Sequence, residues 1–332
     1  MKRLIYNLII VSILALATLS SCNKEDEPFF IKKPSEQTSS IVYLNELLNI
    51  MENYSINKHN INWVIFKDKV FNTVPTAHTI SETYPGIKEA LTLLNDRHSS
   101  YTASNGNTIM GSSAITITME NIVTPVMPDD VGYVKVNYYS GQSNDALAIA
   151  FANQIQNQIK QQDHSDLKGW IVDLRNNIGG NMWPMLAGIG PILGEGISGY
   201  FIDPDENEKS WGIDNNGASI MNGSPLTQLS NSYELLTPKP KVAVLLNYAV
   251  ASSGEVIAIS FIGRENTKSF GSATCGLSTA NSTFRLSDNS NLNLTTAYLA
   301  DRNKNKYGIP IIPDVLSKKE TIINDVLAWI RE

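Results

Sequence analysis

From Ile41 to about Asn95 the apolar residues recur at intervals of three and four: Leu44, Leu47, Leu48 and Met51, then Trp63, Phe66 and Val70, then Ile87, Ala90, Leu91 and Leu94. This is the period of helices that bury one face, and it predicts a small helical region. From Gly132 the texture changes to short β-branched runs at 132–137, 169–174 and 241–246, separated by stretches of helical period near 144–161, 183–193 and 253–263. Strands alternating with helices predict an α/β layer on a largely parallel sheet. Residues 196–235, rich in Gly, Asn, Asp and Ser, read as a hairpin excursion over that core, and another strand is expected at 292–299.

The first residues follow a different pattern. Lys2 and Arg3 precede a mostly apolar stretch from Leu8 to Leu19, too short to span a bilayer but suited to the apolar region of a secretory signal. It closes on Leu19-Ser20-Ser21-Cys22, which resembles the lipobox of bacterial lipoproteins and implies that Cys22 is lipidated. Residues 22–40 are polar and aperiodic and read as a tether. Their Lys24-Glu25-Asp26-Glu27 run is similar to the surface-export signal of Bacteroidetes lipoproteins, and reads equally well as a solvated spacer. The expected organisation is therefore a signal peptide at 1–21, a tether at 22–40, a helical N-terminal domain at 41–105 and a core domain at 106–332. The location implied is the cell envelope, lipid-anchored at the outer membrane on its periplasmic or outer side.

Charge and cysteine content remove several classes of function. The chain of 332 residues carries a net charge of −6, which becomes −8 once residues 1–21 are removed, with no basic cluster beyond them. A nucleic-acid partner held through its phosphates is not expected. Two cysteines, Cys22 and Cys275, make neither a disulfide scaffold nor a metal site, and no cofactor is implied.

Three segments could carry chemistry. Asp173-Leu-Arg-Asn-Asn-Ile-Gly-Gly180 runs from a strand into a glycine turn, where Gly179 and Gly180 let the backbone approach a ligand and aim an N–H at it. Ala251-Ser-Ser-Gly-Glu255 places serines at a helix start, where unpaired N–H groups and the helix dipole favour an oxyanion. Leu94-Asn-Asp-Arg-His-Ser-Ser-Tyr101 sets His98 in a polar loop where a general base is reachable. Taken singly, these segments read as well as a strand-to-helix turn, a Ser252/Glu255 capping box and a surface histidine.

In this order the three segments resemble the signatures of the C-terminal processing (tail-specific) serine peptidases, which have a crotonase-like ββα core. Gly271-Ser-Ala-Thr-Cys-Gly-Leu-Ser-Thr-Ala-Asn281 resembles a fourth signature, and Ile309-Pro-Ile-Ile-Pro-Asp314 the closing segment. The resemblance implies Ser252 as nucleophile, with Ser253 as runner-up, and an oxyanion hole from the Ser253 N–H and a glycine N–H of Gly179 or Gly180. Two features depart from the best-known members. Leu277 stands where they carry a catalytic lysine, and only about 30 residues separate Tyr101 from Gly132, too few for their PDZ domain. Both departures are similar to the tricorn protease core and to the modules of interphotoreceptor retinoid-binding protein, and imply His98 as the base. Asp301 is then the first candidate to orient the imidazole, followed by Ser99 and Asp96. The expected function is a serine endopeptidase of the cell envelope acting on peptide or protein substrates; the alternative is a binding lipoprotein without catalysis on the same fold.

Overall fold

The computed structural model describes residues 39–332. The signal segment, Cys22 and nearly all of the tether lie outside the described residues. Helices α1 (Ser40–Tyr54), α2 (Trp63–Thr73) and α3 (Tyr84–Leu94) come first, followed by β1 (Ser100–Thr102), β2 (Thr108–Met110), β3 (Val131–Lys135) and α4 (Ala146–Gln162). Then come β4 (Gly169–Asp173), α5 (Met182–Leu193) and the strands β5 (Gly196–Ile202), β6 (Glu208–Ile213), β7 (Ser219–Met221) and β8 (Ser224–Thr227). The chain continues through β9 (Lys241–Leu246), α6 (Ser253–Phe261), β10 (Thr267–Gly271), β11 (Thr279–Arg285), β12 (Asn291–Asp301), β13 (Val315–Leu316) and α7 (Ile322–Arg331). None of these helices is long and apolar enough to cross a membrane.

Five strands form a parallel sheet in the order β13-β10-β9-β4-β3. Its central strands are apolar on both faces because both faces are covered. Trp170, Val172, Val242, Val244 and Leu246 point to the side of α5 and α6, whereas Ile171, Ala243 and Leu245 pack with Ile322, Val326 and Ile330 of α7. Side chains of alternate residues thus serve two separate cores. Polar caps start the helices on schedule: Asp145 accepts the Ala148 N–H at α4 and Asn181 the Trp183 N–H at α5.

Residues 196–235 differ from the expected excursion. Their four strands belong to an eight-stranded antiparallel sheet, β2-β1-β12-β5-β6-β7-β8 with β11 on the other side of β12. Trp211 and Ile213 alternate inward into the main core, a short pattern that the surrounding turn residues obscure in the sequence. Strand β12 joins the parts of the molecule, pairing with β1 at residues 291–293 and with β5 at 298–301. Its Leu292 and Leu294 pack under α1–α3, and Leu299 enters the core over the parallel sheet. Between β2 and β3 the chain is an extended strap in which Ile115 and Ile117 pack on Ala251, Cys275 and Leu277.

Candidate active site

Parallel neighbours β4 and β9 end on the same side of their sheet, so the segments after them meet. The 175–180 turn and the 247–252 turn are tied together at several points. Asn176 donates its N–H to the Asn247 Oδ1 at 3.0 Å, and the Asn247 Nδ2 donates back to the Asn176 Oδ1 at 3.1 Å. The Ala251 N–H donates to the Asn177 carbonyl at 3.0 Å, and Gly254 runs so close that a Cβ there would lie 2.2 Å from that same oxygen. Below them Arg175 grips the buried Asp173 through two side-chain nitrogens, at 2.9 and 2.6 Å.

Ser252 sits where this assembly hands over to α6. Its backbone is left-handed, φ +52° with ψ −120°, a conformation that costs a non-glycine residue free energy and persists only when surroundings impose it. Glu255 imposes it in part: its buried carboxylate accepts the Ser252 N–H at 3.0 Å, the Gly276 N–H at 3.0 Å and the Thr274 hydroxyl at 2.5 Å. Burial pushes this carboxyl up to about 7 against the pull of those donors. Both arms of the expected capping box are in place, the Glu255 carboxylate on the Ser252 N–H and the Ser252 Oγ beside the Glu255 N–H, and among the described residues the Ser252 hydroxyl donates to no acceptor. Ser253 is placed differently, because its hydroxyl donates to the Gly180 carbonyl.

The glycine turn resolves which N–H groups are available. Gly179 and Gly180 have φ of +107° and +99°, and a Cβ on Gly179 would approach the Ser252 Cβ to 2.8 Å, so only glycine fits. The Gly179 N–H is already donated to the Asn177 Oδ1 at 3.1 Å. Those of Gly180 and Ser253 have no acceptor among the described residues and stand beside Ser252.

His98 enters from the antiparallel sheet, just ahead of β1, and lines the same cleft as Ser252, Ser253 and Gly180, a volume of about 1240 Å³. Burial holds its imidazole down to about 4 against the opposing charge of Asp96, so the ring is neutral near pH 7. Its Nδ1 lies 2.9 Å from the Thr279 Oγ1, and its Nε2 has no partner among the described residues; no hydrogen bond joins the ring to Ser252. The expected orienting groups are elsewhere. Asp301 is 1% exposed and spends its carboxylate on its own turn, accepting from the N–H groups of Asn303 and Asn305, the Asn305 Nδ2 and the Tyr307 hydroxyl. That turn, and not the imidazole, explains the buried acid. Asp96 accepts the backbone N–H groups of His98 and Ser99 and the Ser99 hydroxyl, so both shape the loop without touching the ring. Leu277, which stands where the best-known members carry a lysine, is 8% exposed among Ala251, Cys275, Ile115 and Ile117. Burial, then the nearby Glu255, raises the Cys275 thiol to about 11, so it is not a thiolate nucleophile. Thr279 is the residue that sequence reasoning passes over, although it lies two positions beyond Leu277 in the same motif segment.

A neutral imidazole, a serine held at a helix start and unpaired N–H groups beside it, in one cleft, define a serine-type peptidase. The chain belongs to peptidase family S41, whose family model matches residues 130–317. It is similar to a nisin-resistance protein of Lactococcus lactis subsp. lactis, 27% identical over 331 residues that cover 99% of this chain and 98% of that one. The carboxy-terminal processing protease of Bacillus subtilis is 25% identical over 195 residues, 59% of this chain but 36% of its own. Among solved structures, a lipoprotein from Streptococcus agalactiae superposes with a TM-score of 0.69 at 24% identity, covering 91% of this chain and 98% of that one. The photosystem II D1 C-terminal processing protease gives 0.55 at 16% identity, over 89% and 97%.

Proposed function

We propose that the protein is an envelope-anchored serine endopeptidase in which Ser252 is the nucleophile and His98 the general base. The observation that carries this is the convergence on one cleft of a strained Ser252, whose hydroxyl donates to no acceptor among the described residues, and a neutral His98 whose Nε2 has no partner among them. His98 takes the Ser252 proton as the Oγ attacks a peptide carbonyl; the Gly180 and Ser253 N–H groups receive the negative charge that develops on the carbonyl oxygen. The protonated imidazole then gives its proton to the leaving amine, and water repeats the cycle on the acyl-enzyme. The step from Ser252 to His98 requires the two to approach, or one water between them, as is common before substrate binds. Ser253 is the weaker nucleophile because its hydroxyl is engaged by Gly180.

Lipid attachment at Cys22 rests on the Leu19-Ser20-Ser21-Cys22 motif, and loss of the protein from the membrane fraction on Cys22→Ala tests it. Full-length similarity to a nisin-resistance protein makes nisin the first substrate to assay. Ser252→Ala is expected to lower peptide hydrolysis about a thousandfold and to abolish labelling by a fluorophosphonate probe. Unchanged hydrolysis and labelling would overturn the assignment, and binding without turnover in the wild type would favour a binding lipoprotein.

A further inference from the structure

We propose that the Thr279 hydroxyl, and no carboxylate, orients the His98 imidazole for catalysis. This rests on the assignment of Ser252 and His98 above. A histidine base needs a partner on the nitrogen that does not take the proton, because that partner selects the tautomer and fixes the plane of the ring. Here the Nδ1 partner is the Thr279 Oγ1 at 2.9 Å. An Nδ1–H donated to this oxygen leaves the Nε2 lone pair facing the cleft.

The placement of Thr279 is well determined. It opens β11 opposite Tyr298 of β12, one residue before the register shift at Ala280 and Asn281. Two positions on, the Asn281 Nδ2 donates to the His98 carbonyl at 3.1 Å, while the Asn281 Oδ1 accepts the Thr295 hydroxyl at 2.9 Å. Strand β11 therefore holds both the ring and the backbone of His98, and the branched Thr279 side chain has few rotamers in which to lose the contact. Asp96, the charged group acting on the ring, is occupied by backbone N–H groups and the Ser99 hydroxyl.

A neutral partner has a different consequence from a carboxylate. It sets the tautomer without offering charge to the imidazolium, so the base keeps the low basicity that burial gives it. Thr279 is thus a positioning residue. The test is the second-order rate of fluorophosphonate labelling of the full chain across pH 3.5–8, with Ser252→Ala as the blank. Thr279→Val, nearly isosteric, is expected to slow labelling by about 10–100-fold with an unchanged melting temperature, and Thr279→Ser to restore it to within about threefold. Thr279→Asp is expected to move the acid limb of the profile upward by about one pH unit or more. Wild-type labelling that depends on Ser252 and His98 but is the same in Thr279→Val, in rate and pH profile, would overturn this proposal alone. Labelling that persists in Ser252→Ala would instead overturn the assignment beneath it.

Discussion

Glu255 is buried and His98 half-buried, and the two give this site opposite responses to acid. His98 is held at about 4 against an ordinary 6.5, so its neutral burial stabilises the fold fully above pH 6.5, and that contribution is lost as pH falls towards 4. Glu255 is raised from 4.5 to about 7, so its contribution is complete below pH 4.5 and is lost as pH rises through 7. The two windows overlap, and the wild-type profile is their sum. Replacing one residue separates them. Between pH 6.5 and 4 the wild type is expected to lose on the order of 2 kcal/mol more stability than His98→Gln, read from urea midpoints at both pH values. Equal losses would mean that His98 is more hydrated than its position implies.

Among the elements, the parallel strands and the helices between them are legible in the sequence because continuous β-branched runs and a 3.6-residue period are local signals. Strand β9 and the start of α6 fall where those patterns place them. The antiparallel sheet is not local: β1 pairs with β12 some 190 residues away, and nothing in Ser100-Tyr-Thr102 announces that partner. The sequence reading also stops short of α7, although Ile322, Val326 and Ile330 recur every four residues. Of the site, motif order brings out Ser252, His98 and the glycine turn. Thr279 in place of Asp301 depends on a strand register that only the fold supplies. The entry to β11 bears on the lysine that the best-known members carry at this place. Leu277 packs in an apolar lining of Ala251, Cys275, Ile115 and Ile117, so Leu277→Lys is expected to cost about 3 kcal/mol or more and to restore no activity to His98→Ala. Thermal denaturation and the peptide assay check the two parts, and recovered turnover would show that the lysine can reach Ser252.

At the scale of the whole molecule, the chemistry is divided between layers. The stretch matched by the family model, 130–317, holds Ser252 and the glycine turn but not His98, which lies ahead of it in the loop between α3 and β1. The N-terminal segment and the matched stretch also touch beside the cleft. On the loop after α1, Lys58 pairs with Asp205 of the β5–β6 turn, and the His59 Nε2 lies 2.7 Å from the same carboxylate. Lys58, then His59, holds that carboxyl below its usual range. The contact is solvent-exposed, so Asp205→Ala is expected to leave the melting temperature within about 2 °C of wild type. Amide exchange in residues 55–62 and 203–207 should meanwhile rise about tenfold, as measured by mass spectrometry, because local opening no longer breaks an ion pair. Unaltered exchange would show that backbone packing alone holds the two loops. Lys58 and Asp205 both line the cleft that holds Ser252 and His98. An ion pair that salt screens therefore stands in the wall of the site, and the two loops it joins are expected to part more often as ionic strength rises.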